Sequence, residues 1–196
     1  MAEKTVSKEN KEIAKYITEI VGIDRTVREY FDDNNENSIN IFTCENPIDS
    51  EVKFYGTIGL SDYPNVVEMK DSRKNIPIEL LILGYKKYES IPNILSTCAF
   101  YVLKDKWTCQ PGSVFKNMVD FYYQKEMQHI IFVQPFLWEN KLESLKLENK
   151  TVDWLLAVQI SETELQFRLK NGSERLETLF EKNEINIFDL DRKSVI

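Results

Sequence analysis

The stretch Lys53-Phe54-Tyr55-Gly56-Thr57-Ile58-Gly59-Leu60 decides how the chain folds. Phe54, Gly56, Ile58 and Leu60 alternate with Lys53, Tyr55, Thr57 and Gly59, the two-residue period of a half-buried β-strand. On its N-terminal side, residues 26–31 and 39–44 are short and rich in β-branched and aromatic side chains, and the polar turn-former Asp32-Asp33-Asn34-Asn35-Glu36-Asn37 joins them. On its C-terminal side, Ile78-Glu79-Leu80-Leu81-Ile82-Leu83 reads as a continuous apolar run and so as a central strand. Only then does a helical pattern follow that could serve as a crossover, residues 92–103, with Pro92 in its first turn. Strands that cluster ahead of a crossover disfavour a strict βαβ repeat. They predict an α+β fold, a mixed and mainly antiparallel sheet packed by helices.

Further out, Ser7 is placed to cap a helix to about residue 21, with Ile13, Ile17, Ile20 and Val21 on one stripe and Gly22 as the stop. Gln110-Pro111-Gly112-Ser113 reads as a turn. Residues 129–133 and 152–160 read as apolar strands, the first ended by Pro135. Ser161-Glu162-Thr163-Glu164 is a capping box that opens a helix to about residue 170. Asn171-Gly172 stops that helix, and Ser173 is expected to cap another to about residue 182. No Pro/Gly/Ser-rich linker interrupts the 196 residues, so one domain is expected, with an N-terminal helix near 7–22 and two C-terminal helices near 161–183.

The composition excludes much chemistry. The chain holds one histidine and three cysteines. Gly59-Leu60-Ser61-Asp62-Tyr63 starts like a nucleophile elbow, but Tyr63 stands where the strained turn needs a small residue. The base would have to be His129, which lies in a strand-like run and reads as structural. Cys44, Cys98 and Cys109 form no C-x-x-C pair and read as buried free thiols in a reducing cytoplasm. The same counts give no zinc spacing, and the 32–37 loop lacks the glycine and terminal glutamate of an EF-hand. Glu29 and Glu51 could in principle form a carboxylate pair, although nothing in the sequence sets their separation. No catalytic residue, cofactor or metal is therefore expected. The first ten residues are polar and no apolar run approaches a membrane span, so no membrane partner is expected either.

Charge is unevenly placed. From residue 29 to residue 52 there are seven acids (Glu29, Asp32, Asp33, Glu36, Glu45, Asp49 and Glu51) and no base. Their sum equals the net charge of −7 of the whole chain, so the remainder is neutral. Such a segment can steer a cationic partner, and an acidic surface also serves solubility alone. Direct binding to nucleic acid is not expected without a basic stripe. The aromatic clusters Phe121-Tyr122-Tyr123 and Phe136-Leu137-Trp138 read mainly as core, with an interface role open for Trp138 beside Glu139-Asn140-Lys141.

Phe54-Tyr55-Gly56-Thr57-Ile58-Gly59-Leu60-Ser61-Asp62 resembles the "y.tiGlS" strand of suppressor-of-fused-like domains. In the same order, residues 78–82, the helix near 91–103, Gln110-Pro111-Gly112-Ser113-Val114-Phe115, residues 132–136 and residues 155–165 resemble later segments of that family. Leu190-Asp191-Arg192-Lys193-Ser194 resembles its close. In size the chain is similar to the bacterial single-domain members, immunity proteins of the YqcF antitoxin type that are paired with secreted LXG-type toxins, often nucleases. The resemblance implies a cytoplasmic, non-enzymatic inhibitor that binds its cognate toxin, with Gly59, Ser61, Pro111, Gly112 and Glu164 in structural roles. The seven acids of residues 29–51 are then the candidate surface for a basic nuclease toxin. Two other readings are a suppressor-of-fused-like protein-binding module and a metal-dependent hydrolase built on the acidic segment. Monomer and dimer are both open.

Overall fold

The computed structural model describes residues 6–21 and 23–196, with backbone alone at 23 and 24; Gly22, the expected helix stop, lies outside the described residues. Helix α1 (Lys8–Val21) starts where Ser7 Oγ accepts the N–H of Asn10 at 3.0 Å, and it buries Ile13, Ile17 and Val21. Strands β1 (Ile23–Phe31) and β2 (Ser38–Glu45) form an antiparallel hairpin, and β3 (Val52–Ile58) returns beside β2. After a 3₁₀ turn at Leu60–Asp62 comes a separate, largely exposed hairpin of β4 (Val66–Met69) and β5 (Ser72–Asn75). Strand β6 (Ile78–Tyr85) pairs antiparallel with β3, and α2 (Ile91–Leu103) follows. The rest is β7 (Val114–Phe115), β8 (His129–Val133), β9 (Leu145–Lys146), β10 (Thr151–Ile160), α3 (Glu162–Asn171) and α4 (Ser173–Lys182).

The main sheet has the order β1-β2-β3-β6-β10-β8-β7, with β9 on β10. Strand β10 enters late and in the middle, parallel to β6 (Leu155 opposite Leu80) and antiparallel to β8 (Leu156 opposite Val133). The fold is thus α+β with a mixed, mainly antiparallel sheet, as the clustering of strands predicts.

Alternation along the strands sends side chains into two cores. Helix α2 covers one face, where Ile41, Tyr55, Leu80 and Ile82 meet Leu95 and Val102. Helices α1, α3 and α4 cover the other, where Phe42, Phe54, Leu81 and Leu156 meet Ile17 and Leu176. This corrects the half-buried reading of residues 53–60. Tyr55, expected outward, is buried in the core that α2 covers, and Thr57, also expected outward, is buried where its hydroxyl donates to Glu79 and accepts the N–H of Leu80. The strand also ends at Ile58 rather than at Leu60, because Gly59 takes a left-handed conformation (φ 95°) and turns the chain. Gly56 allows closest packing: a Cβ there would lie 2.2 Å from the ring of fully buried Phe42 and 2.7 Å from Leu81.

The capping box forms as expected, with Ser161 Oγ accepting the N–H of Glu164 and Glu164 accepting the N–H of Ser161. Ser173 departs from its expected role. It is the first residue of α4, Gly172 (φ 90°) holds the cap position, and the Ser173 hydroxyl instead accepts Arg168 Nε–H at 3.1 Å.

Candidate functional site

The acidic segment divides. At the β1–β2 turn, Asp32 is buried and fully engaged. Its carboxylate accepts the N–H groups of Glu36 (2.9 Å) and Asn37 (3.2 Å) and the Asn37 amide (2.9 Å), and pairs with Lys104 at 2.8 Å. The Asn37 amide first, then the Lys104 ammonium, hold this carboxyl well below the usual carboxylate range. Asp33 and Glu36 stand exposed at the same tip, and Glu29 accepts the Ser38 hydroxyl at 2.6 Å.

Glu45, Asp49 and Glu51 lie at the opposite end of β2. Glu45 sits between Lys86 (2.7 Å) and Lys53 (3.3 Å), and the Lys86 contact is the main cause of its lowered pKa. Asp49 accepts the N–H of Glu51 at 2.9 Å and so shapes the turn into β3, and Glu51 is exposed. The eight residues of β2 span about 23 Å, so the seven acids form two groups at the two ends of a strand. Glu29 and Glu51 fall in different groups. Asp32 and Glu45 already have cations beside them, which leaves Glu29, Asp33, Glu36 and Glu51 as the exposed acids of the segment.

The residues weighed for catalysis have structural partners. His129 is buried; its Nδ1 accepts the N–H of Asn117 at 2.9 Å, so Nε2 carries the hydrogen and donates to Glu162 at 2.8 Å. Ser61 is buried, and Lys150 Nζ lies 2.9 Å from its hydroxyl, while the Lys150 ammonium is paired with Asp62 and with Glu9. The three thiols are free and buried. Burial pushes Cys44 up to about 11, and raises Cys98 and Cys109 as well. Among the described residues no group of three or more His, Cys, Asp or Glu is placed to hold a metal, and no helix is long and apolar enough to cross a membrane.

The Gly-Leu-Ser motif has its own support. Glu79 interrupts the apolar run of β6, and its fully buried carboxylate accepts the N–H groups of Gly59 (2.9 Å), Leu60 (3.2 Å) and Ser61 (3.1 Å) and the Thr57 hydroxyl (2.6 Å). Burial raises its pKa, and these donors act against that shift.

The Phe136-Leu137-Trp138 cluster, read mainly as core, divides the other way: Trp138 is buried, while Phe136 and Leu137 stand exposed beside a surface the sequence reading did not place. A groove of about 560 Å³ lies between α4 and the 3₁₀ turn Phe136–Trp138. Its walls include Phe136, Leu137, Phe180 and Ile187, and its lining carries Glu139, Glu177, Glu181 and Glu184 without a lysine or arginine. The readable signal is Glu177, Glu181 and Glu184 at i, i+4 and i+7; the opposite-facing Arg175 and Lys182 mask it in any linear charge count.

The family described as Suppressor of fused protein (SUFU) matches residues 35–193. The chain is 41% identical over 192 residues to the immunity protein YqcF of Bacillus subtilis (strain 168), covering 97% of this chain and 99% of that protein. In structure it is similar to a suppressor-of-fused homologue from Neisseria gonorrhoeae FA 1090, with a TM-score of 0.74 at 18% identity over 95% of this chain and 96% of that one. It is also similar to a chain of the Sufu–Fu complex, with a TM-score of 0.66 at 12% identity over 94% and 91% of the two chains. With the ordered motifs, the mixed sheet and a match over most of its length in agreement, the chain belongs to the suppressor-of-fused family.

Proposed function

We propose that this chain is an immunity protein, a non-enzymatic cytoplasmic inhibitor that neutralises a cognate secreted toxin of the LXG type by direct, stoichiometric binding. The observation that carries this reading is its end-to-end 41% identity to a protein named for immunity. The structural partners of His129 and Ser61 support an activity of binding rather than catalysis. A nuclease toxin must attract a polyanion and so presents cations. The exposed acids at the two ends of β2, Asp33 and Glu36 at one and Glu51 at the other, would speed its approach. Asp32, Glu45 and Asp49 would act by shaping those ends, and Glu29 by adding to the field at the hairpin.

The test is co-expression with the toxin encoded beside this gene. Restored growth together with co-purification in a one-to-one complex is the expected result. Persistent killing, with the chain folded and abundant, would overturn the reading.

A further inference from the structure

The groove between α4 and the Phe136–Trp138 turn combines an exposed apolar wall with a charged lining of one sign. Its walls are apolar and open: Phe136 is 47% exposed and Leu137 40%, adjacent side chains presented by one short turn. Adjacent exposed apolar side chains that line a groove rimmed by polar residues are the kind of surface that marks an interaction site. Its charged lining is of one sign. Glu177 and Glu181 come from α4, Glu184 follows the helix, and Glu139 faces them from beyond the turn. Among the described residues none of these four forms an ion pair. Burial, then the neighbouring charges of Glu181 and Glu174, raise the pKa of Glu177, which is the response of a carboxylate in a negative and partly desolvated setting.

Carboxylates crowded beside an apolar wall repel one another until a cation joins them. An occupant that supplies both lysine or arginine and a large apolar side chain satisfies both features at once. The groove also lies away from the hairpin acids. It belongs to the β10–β8 side of the sheet, three to four strand steps from β2, or about 14–19 Å across.

We infer that the α4 groove is the anchoring site for a basic amphipathic segment of the protein partner, with apolar side chains seated against Phe136 and Leu137 and cations among Glu139, Glu177, Glu181 and Glu184. This rests on the immunity reading for the partner's identity, and it assigns the two acidic regions different tasks. The hairpin acids set the rate of encounter, and the groove sets how long the complex lasts.

The experiment measures binding of the catalytically inactivated neighbouring toxin to the full chain by surface plasmon resonance at physiological salt. Phe136→Ser with Leu137→Ser should raise Kd about tenfold or more, chiefly through faster dissociation, as loss of a central apolar anchor does. Glu139→Lys with Glu181→Lys should raise it by a similar factor. All four positions are exposed, and thermal melts of each pair should match the wild type. Asp33→Lys with Glu36→Lys should leave dissociation unchanged. If the wild type binds and both groove pairs bind with wild-type constants, the groove assignment is overturned and the immunity reading stands. If the wild type does not bind, the immunity reading falls and this occupant with it. A wild-type dimer that the Phe136→Ser, Leu137→Ser pair converts to monomer would instead place a second copy in the groove and overturn the proposal.

Discussion

Arg192 sets both terminal nitrogens on the carboxylate of Glu164, Nη1 2.7 Å from Oε1 and Nη2 2.8 Å from Oε2, in a pair that is almost wholly buried. The same carboxylate accepts the N–H of Ser161 in the cap of α3 and the N–H of Val195, so one side chain joins a helix start to the C-terminal tail. Arg192→Leu leaves that carboxylate buried without its cation. The expected loss is about 3–5 kcal/mol in urea unfolding. Adding Glu164→Leu should recover part of it, because the uncompensated charge disappears.

Glu79 predicts a second loss of stability. Glu79→Gln turns one acceptor into an NH₂ that faces backbone donors of the Gly59–Ser61 turn. A loss of about 2–3 kcal/mol is expected, with broadening of the amide signals of residues 59–61 as the local readout.

Gly56→Ala should overpack the sheet. The added Cβ meets the Phe42 ring and Leu81, neither of which has solvent to move into. A loss of about 1–3 kcal/mol is expected, and Phe42→Leu in the same chain should restore some of it.

The carboxylates also predict an acid response. Asp32, Glu45, Glu162, Asp189 and Asp191 have lowered pKa values in the folded chain, so their stabilisation is complete above the ordinary carboxylate range and is lost as pH falls below it through their lowered values. Glu79 and Glu177 are raised and act in the opposite sense, favouring the fold as they protonate. The melting temperature should fall from about pH 5 downward. It should fall less steeply in Asp32→Asn, which begins from a lower value because the β1–β2 turn loses its charged acceptor.

At the hairpin, Asp33→Lys with Glu36→Lys should slow association with the inactivated toxin and weaken its dependence on salt, with the melt unchanged. Asp32→Lys is a different experiment. It places a cation beside Lys104 and should lower the melting temperature, so its binding data would report folding.

Much of the fold is legible because packing and local chemistry agree. The apolar runs at residues 129–133 and 152–160 become β8 and β10, and Ser161 with Glu164 forms the cap that its spacing predicts. The β4–β5 hairpin left no such pattern, since it is short and β5 is wholly exposed. Tyr55 misled because its outward place in the alternation is covered by a helix from much later in the chain. The acids of residues 29–51 were legible as a charge but not as a place, because β2 carries them to opposite ends. Glu177, Glu181 and Glu184 went unread for the converse reason, since Arg175 just before them and Lys182 among them balance their charge in the chain but lie on another side of the helix.

Strand β10 fills the gap between β6 and β8, and Arg192 closes over the helix that follows it. A ribosome therefore delivers the centre of this sheet after most of its flanks. Until residue 160 has emerged, β6 and β8 each hold an unpaired edge, a template for the wrong neighbour. On the function proposed above, protection would then begin only with a finished copy.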